Sequence, residues 1–146
     1  MHMAKIGIIG AGSWGIALSV LLHNNGHEIT VWSILEDEIN MLKTEHEHKD
    51  KLPGVKLPED MIFTTSLPEA IEGKDILVLA VPSPFTRSTS HNMKPYVADG
   101  QIIVNVAKGI EEHTLMTLSQ IIEEEVPQAN VAVLSGPSHA EEVGRG

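Results

Sequence analysis

Residues 5–15, with the sequence KIGIIGAGSWG, decide the fold of this chain. Its first five residues form the kind of short apolar run that becomes a buried parallel strand. The run leads directly into Gly10, Gly12 and Gly15, which fit the pattern G-x-G-x-x-G. Apolar residues at helical spacing follow in residues 16–22, so the glycines stand between a predicted strand and a predicted helix.

Each glycine has a predicted role in that setting. Gly10 permits a tight turn, Gly12 lets the backbone approach a pyrophosphate, and Gly15 lets the helix pack closely on the strand. The N-terminus of the helix would then face the negative charge of the phosphates. We predict a dinucleotide-binding site here, and the alternative is a glycine-rich turn that merely packs.

The remainder of the chain alternates predicted strands with predicted helices. This alternation predicts an α/β fold, a Rossmann-type doubly wound parallel sheet with right-handed crossovers. A capping box and an early proline mark the helix that begins near Ser66. The further predicted strands cover residues 28–32, 61–65, 76–81, 102–106 and 131–134, and the further predicted helices cover residues 35–48, 66–73, 86–93 and 115–122 and begin again near 138.

Composition and charge restrict the class of protein. The 146 residues suit one domain, and the formal net charge of −10 would repel nucleic acids and anionic membranes, so we expect neither as a partner. The longest apolar stretches are too short to cross a bilayer, so no membrane insertion is expected. The chain has no cysteine, which excludes disulfides and cysteine nucleophiles and favours a cytoplasmic location.

The two ends of the chain suggest its boundaries. We interpret residues 1–3 as a cloning remnant and residues 4–146 as one nucleotide-binding domain. The chain stops at Gly146, a few residues into the predicted helix that begins at Ser138. We therefore expect the domain to be truncated.

The end of the second predicted strand bears on the choice of cofactor. Dinucleotide folds usually carry an acidic residue there to hold the ribose hydroxyls of NAD, but this chain has Ser33. No carboxylate at that position repels a 2′-phosphate, and no arginine attracts one. The choice between NAD and NADP is open, with Ser33 a candidate hydrogen-bond donor to either ribose.

Three more loops follow predicted strands, at the edge where open α/β sheets bind their ligands. Pro82 would place a rigid backbone edge beside the cofactor, or it only terminates its strand. Lys108 leaves an apolar strand and could supply a cation to substrate oxygens or orient the nicotinamide amide, or it is an ordinary surface lysine. Gly136 and Ser138 could present N–H and hydroxyl groups to a phosphate, although helix capping alone also explains the serine.

Other polar groups are assigned no chemistry. Residues 45–48, EHEH, are interpreted as a solvated face of a helix rather than a metal site, because neighbours on a helix lie three or four residues apart. Residues 123–125, EEE, are interpreted as a solvated helix end. His139 is a weak acid/base candidate, and the serines lack the G-x-S-x-G elbow of a hydrolase.

Four blocks of sequence together are specific for one family. In order along the chain they resemble bacterial NAD(P)-dependent glycerol-3-phosphate dehydrogenase, and they span almost all of it. The blocks are GAGSWG at 10–15 followed by AL at 17–18, AVPS at 80–83, KGIE at 108–111 and LSGPSHAEEV at 134–143.

The resemblance implies hydride transfer between sn-glycerol 3-phosphate and dihydroxyacetone phosphate with NAD or NADP, feeding glycerophospholipid synthesis. It implies cofactor contacts at Ser13, Trp14, Lys108 and Ala140, and substrate contacts at Lys108, Gly136 and Ser138. In the family the general acid/base lysine lies in a helical second domain, which we expect this chain to lack together with the last strands of its sheet. The resemblance also allows a homodimer of the full-length protein.

Other functions are consistent with parts of the pattern. One is another two-domain dehydrogenase, of the 3-hydroxyacyl or 6-phosphogluconate type, against which the blocks at 108–111 and 136–141 speak. Another is a stand-alone dinucleotide-binding regulatory module without catalysis. A third is an interaction module with a vestigial site, which no dinucleotide would stabilise against heat.

Overall fold

In the computed structural model the chain forms one parallel sheet with helices on both faces. The structure describes residues 3–107, 109–111 and 114–133, and six strands lie within them in the order β3-β2-β1-β4-β5-β6. The strands are β1 Lys5–Ile9, β2 Glu28–Trp32, β3 Ile62–Thr64, β4 Ile76–Leu79, β5 Ile102–Asn105 and β6 Asn130–Val133. The helices are α1 Ser13–Asn24, α2 Glu36–Glu45, α3 Leu67–Ile71, α4 Thr86–Met93 and α5 Leu118–Glu125, with 3-10 turns at Ser83–Phe85 and Lys94–Tyr96.

The strand order is that of a doubly wound nucleotide-binding sheet, so the predicted fold class is confirmed. The chain builds outward from β1 through β2 to β3, and it then crosses over to β4 and builds outward on the other side. The order therefore reverses between the adjacent strands β1 and β4. Ligands of open α/β sheets bind outside the carboxyl ends of the strands at such a point.

The core has two layers, one on each face of the sheet. Ile6 and Ile8 of β1 pack with α1 and α2, whereas Ile9 packs with α3, α4 and α5 on the opposite face. Because helices cover both faces, side chains pointing either way from the central strands are buried. This burial explains why the central strands are continuous apolar runs rather than alternating ones.

The predicted helix start at Ser66 is confirmed, but only half of its capping box forms. The Ser66 hydroxyl accepts a hydrogen bond from the backbone N–H of Glu69 at 3.4 Å, and a proline lies in the first turn. The backbone N–H of Ser66 donates to Thr64 Oγ1 at 3.0 Å rather than to the Glu69 carboxylate. Thr64, at the end of the preceding strand, therefore accepts the hydrogen bond that the capping-box motif assigns to the Glu69 side chain.

The placement of Leu115 in a helix was wrong. Leu115 is 70% exposed and has a positive φ of 60°, and α5 begins only at Leu118. A capping box sets that start, because Thr117 Oγ1 accepts from the N–H of Gln120 and the Gln120 side chain accepts from the N–H of Thr117. The apolar spacing predicted a helix that begins about one turn too early, whereas the capping box fixes its start at Leu118.

Other element boundaries differ from the predictions by a few residues. The strands predicted at 61–65, 76–81 and 102–106 are each shorter in the structure, and the last strand begins one residue earlier than predicted, at Asn130. Leu134 and the helix predicted to begin near 138 lie outside the described residues. Among the described helices, none has the length and apolar character needed to cross a membrane.

Candidate dinucleotide-binding site

A cavity of about 1150 Å³ opens at the carboxyl ends of the central strands. Its volume is slightly above the range usual for small-molecule and cofactor sites, which is roughly 300–1,000 Å³. Its walls include the loops that follow β1, β2, β4 and β5, at Gly10–Trp14 and at residues 33–35, 80–83 and 106–107, and further residues come from the loops after α2 and β3 and from the α4 region. The cavity therefore lies where the reversal of strand order predicts a ligand.

The structure shows why a side chain is excluded at two of the three glycines of the first loop. Gly10 has a positive φ of 124°, and a Cβ there would lie 2.7 Å from the backbone of Ala80. A Cβ on Gly15 would lie 2.3 Å from the carbonyl oxygen of Gly10. The tight turn and the close helix packing predicted for these two glycines are therefore confirmed.

Gly12 has a different environment from the other two glycines. A Cβ on Gly12 would meet no protein atom within 4 Å, and its backbone is extended, with φ −75° and ψ −177°. Neither packing nor backbone conformation therefore requires a glycine at this position. The open space faces the cavity that Gly12 lines, and a phosphate group approaching the loop would fill it.

The first turn of α1 begins at the same space, and the first N–H groups of a helix have no partner within the helix. Gly12 is the N-cap residue and has no side chain to cap them. Ser13 and Trp14, for which the resemblance implies cofactor contacts, both line the cavity. The Ser13 hydroxyl donates a hydrogen bond of 2.6 Å to the carbonyl oxygen of Lys51, so the loop after α2 is tied to the start of α1.

Ser33 lines the cavity, but its hydroxyl is already engaged. It donates to Glu38 Oε1 at 2.6 Å, and its oxygen accepts from the N–H of Leu35. The single hydroxyl proton is therefore used within the protein, and the group beside it is a carboxylate. Glu38 is 10% exposed and itself lines the cavity.

Sequence reasoning missed Glu38 and Lys51, which also lines the cavity. A signal existed for the first, because Glu38 lies in the first turn of the helix that follows β2 and could turn back toward the strand end. Lys51 follows α2 in an irregular loop, and no pattern in the sequence placed that loop against the first one.

The interpretation of residues 45–48 as a solvated helical face was wrong for His48. Helix α2 ends at Glu45, and His46 closes it in the left-handed conformation. His48 lies beyond the helix, is 2% exposed, and contacts Glu38 Oε2 through Nε2 at 2.6 Å. No three His, Asp or Glu side chains among the described residues are arranged as metal ligands.

The loops after β4 and β5 lie against each other. Pro82 lines the cavity and accepts a hydrogen bond from the N–H of Phe85, which starts the 3-10 turn. Gly109 has a positive φ of 128°, and a Cβ there would lie 3.9 Å from Ser83 Oγ. Four predicted site residues and one weak acid/base candidate lie outside the described residues: Lys108, Gly136, Ser138, Ala140 and His139.

A cluster around Arg87 links α4 to the loop after β5 and to α5. The guanidinium group makes a bidentate pair with Glu111, with N–O distances of 2.8 and 2.9 Å. It also donates to Glu124 at 2.9 Å and to Glu125 at 2.6 Å. The prediction of a wholly solvated helix end at residues 123–125 was therefore wrong for Glu125, whose side chain is 18% exposed.

The cluster has an electrostatic signature. The hydrogen bonds that Arg87 donates to three carboxylates raise its pKa, and the bond to Glu111 has the largest effect. The hydrogen bond from Arg87 lowers the pKa of Glu125 below its ordinary value of 4.5, and His91 contributes in the same direction. The ionised forms are the ones that the folded state stabilises.

We expect Arg87→Met to lower the thermal unfolding midpoint at neutral pH by separating α4 from α5 and the loop after β5. Because the pKa of Glu125 is depressed in the folded state, the stabilisation is complete above the ordinary value of 4.5 and is lost as the pH falls through the lowered pKa. The difference between parent and variant should therefore be constant above about pH 5.5 and narrow below pH 4.5. Thermal scans across this range measure it, and a difference that does not change with pH would contradict the ion-pair explanation.

The sheet order, the glycine loop and the cavity at the reversal point together define a nucleotide-binding domain of the Rossmann type. Comparison with known proteins identifies the family. Residues 5–146 match the family model described as the N-terminus of NAD-dependent glycerol-3-phosphate dehydrogenase, and the chain belongs to this family. The match does not favour the other two-domain dehydrogenases or a regulatory module.

Individual relatives agree with the family model. The chain is 66% identical over 143 residues to a glycerol-3-phosphate dehydrogenase (NAD(P)+) of Agathobacter rectalis, covering 98% of this chain and 43% of that protein. It is 58% identical over 146 residues to the enzyme of the same name from Fusobacterium nucleatum, covering 99% and 44%. A crystal structure of glycerol-3-phosphate dehydrogenase from Coxiella burnetii superposes with a TM-score of 0.91 at 31% identity, covering 98% and 44%. The chain thus spans less than half the length of these relatives.

Proposed function

We propose that this chain supplies the NAD or NADP site of an enzyme that interconverts sn-glycerol 3-phosphate and dihydroxyacetone phosphate. The observation that carries the proposal is the space at Gly12, where a Cβ would meet no protein atom within 4 Å beside a helix N-terminus. A glycine that packing does not require is explained by the close approach of a phosphate. The family and its relatives named for this reaction support the same conclusion.

The first loop would hold the pyrophosphate. The start of α1 lies at the cavity wall, and both the free N–H groups and the dipole of a helix favour negative charge at that end. Trp14 follows Ser13 in this first turn and also lines the cavity. These groups bind and orient the dinucleotide, and the bound nicotinamide supplies or accepts the hydride.

The loops after β4 and β5 would border the nicotinamide. Pro82 and Ala107 line that part of the cavity, and Ala107 is fixed by a hydrogen bond of 3.1 Å from its N–H to Asn105 Oδ1. Lys108 follows directly, and we propose that its ammonium group orients the nicotinamide amide and the substrate oxygens. By family resemblance we assign Gly136 and Ser138 to the substrate and Ala140 to the cofactor, with the general acid/base outside this chain.

The wider setting is part of the same proposal. The whole protein would act in the cytoplasm and provide glycerol 3-phosphate for glycerophospholipid synthesis, and it could form a homodimer. The absence of cysteine favours a reducing compartment.

The proposal is tested by titrating the chain with NADH and, separately, with NADPH. Trp14 and Trp32 both line the cavity, so quenching of tryptophan fluorescence should report binding, and calorimetry should confirm it. Each titration is repeated with dihydroxyacetone phosphate present. We expect saturable binding of at least one cofactor, and a folded sample that binds neither would contradict the proposed site.

A further inference from the structure

A salt bridge at the wall of the cavity, between Glu38 and Lys51, offers a way to accept both dinucleotides. We propose that Lys51 exchanges its partner: it pairs with Glu38 when NAD is bound and with the 2′-phosphate when NADP is bound. The inference rests on the proposed function of the cavity. It goes beyond that function because it assigns the choice of cofactor to two residues outside the glycine loop.

Glu38 is a fixed carboxylate. Oε1 accepts the Ser33 hydroxyl and Oε2 accepts His48 Nε2, each at 2.6 Å. The imidazole Nδ1 accepts the N–H of Lys51 at 3.3 Å, so Nε2 is the nitrogen that carries a proton and donates to Glu38. With partners on both oxygens and 10% exposure, Glu38 is held beside the end of β2.

Glu38 therefore lies beside the strand end at which a dinucleotide fold usually carries the acidic residue for the ribose hydroxyls of NAD. Ser33 stands at the strand end and holds Glu38 in place of a carboxylate there. A carboxylate has about four lone-pair sites, so two internal hydrogen bonds leave Glu38 able to accept from a ribose hydroxyl. The acidic group is therefore present, but it comes from α2.

Lys51 has a fixed backbone and a movable side chain. Its carbonyl oxygen accepts the Ser13 hydroxyl at 2.6 Å, and its N–H donates to His48. Its ammonium lies 3.8 Å from Glu38 Oε2, too far for a hydrogen bond, and the side chain is 47% exposed. A loose, partly exposed ion pair contributes little to stability, so moving the ammonium to another anion costs little.

The exchange keeps the ammonium of Lys51 beside an anion with either cofactor. With NAD, the ammonium of Lys51 neutralises Glu38 while the carboxylate accepts from the ribose. With NADP, the same ammonium meets the added phosphate, which carries about two negative charges, and Glu38 keeps its hydrogen bonds to Ser33 and His48. Lys51 thus favours NADP, whereas Glu38 opposes it.

The test compares the affinities of three variants of the chain for NADPH and NADH. Lys51→Met should lower the affinity for NADPH roughly tenfold or more and change that for NADH by less than about threefold, because a charge-assisted contact to phosphate is lost. Glu38→Gln should shift the ratio the other way. Lys49→Met is the matched control, since Lys49 is 55% exposed, pairs with Glu45 and is not among the residues lining the cavity.

Adenosine fragments isolate the effect from the nicotinamide end. The Lys51→Met change should weaken the binding of 2′,5′-ADP and leave the binding of 5′-AMP unchanged. The affinity for NADPH should also depend less steeply on salt concentration. Equal loss for both cofactors, or no loss in Lys51→Met, would overturn the exchange while the proposed function stands. If the parent chain binds neither cofactor, the proposed function itself fails, and the exchange fails with it.

Discussion

Replacing Gly12 by serine is expected to leave the chain folded and to weaken dinucleotide binding roughly 10- to 100-fold. The added Cβ meets no protein atom within 4 Å, and the extended backbone of Gly12 suits any residue. Serine is also a better N-cap than glycine, by roughly a few tenths of a kcal/mol, so the free protein should be marginally more stable. The bound phosphate, however, loses its close approach to the N–H groups of α1.

Two measurements on the same variant decide this prediction. Chemical unfolding gives the free energy of unfolding, and fluorescence titration gives the affinity for NADH and NADPH. The expected signature is an unchanged or higher free energy of unfolding together with weakened cofactor binding. A variant that binds either cofactor as tightly as the parent would show that the phosphates lie elsewhere in the cavity.

Gly15→Ala is expected to destabilise the fold by about 1–3 kcal/mol, the usual cost of overpacking. In an exposed helix the same change stabilises by about 1 kcal/mol, because alanine is the better helix former. Here the new Cβ would lie 2.3 Å from the carbonyl oxygen of Gly10, so backbone must move. The sign of the usual effect is therefore reversed.

Gly12→Ala is the matched control, since it adds the same methyl group three residues earlier in open space. It should cost less than about 1 kcal/mol, the typical penalty for alanine at an N-cap. Urea unfolding of the three proteins, with equal slopes, measures both differences. A Gly15→Ala variant as stable as the parent would contradict the close packing of α1 on the first loop.

Local chemistry made much of the site predictable. Gly10 and Gly15 are required by a turn and a contact that arise within a few residues, and the motif encodes both. The apolar runs predicted strands buried on both faces, because a strand with one face in water would alternate apolar and polar residues. Leu115 shows the limit of this reasoning, since apolar spacing placed it in α5 whereas the Thr117 capping box starts the helix after it.

The missed contacts join parts of the chain that no local pattern relates. Ser13 bonds to Lys51 across 38 residues, and Arg87 bonds to Glu111 across 24. Charged residues in such segments look like ordinary surface groups in sequence, and burial of His48 was not foreseen because its loop folds back beneath Glu38. These contacts depend on how loops close over the sheet rather than on propensity.

The sequence by itself determined the alternation of strands and helices, the position of the glycine loop between β1 and α1, and the family to which the chain belongs, because these follow from local periodicity and short motifs. Only the tertiary structure decided which charged side chains line the cavity beside the end of β2. It placed Glu38 and Lys51 together beside Ser33, where the strand end itself carries no charge. The physical reason is that a charged group can reach a strand end from any neighbouring loop, so its position along the chain does not reveal where its charge lies in space.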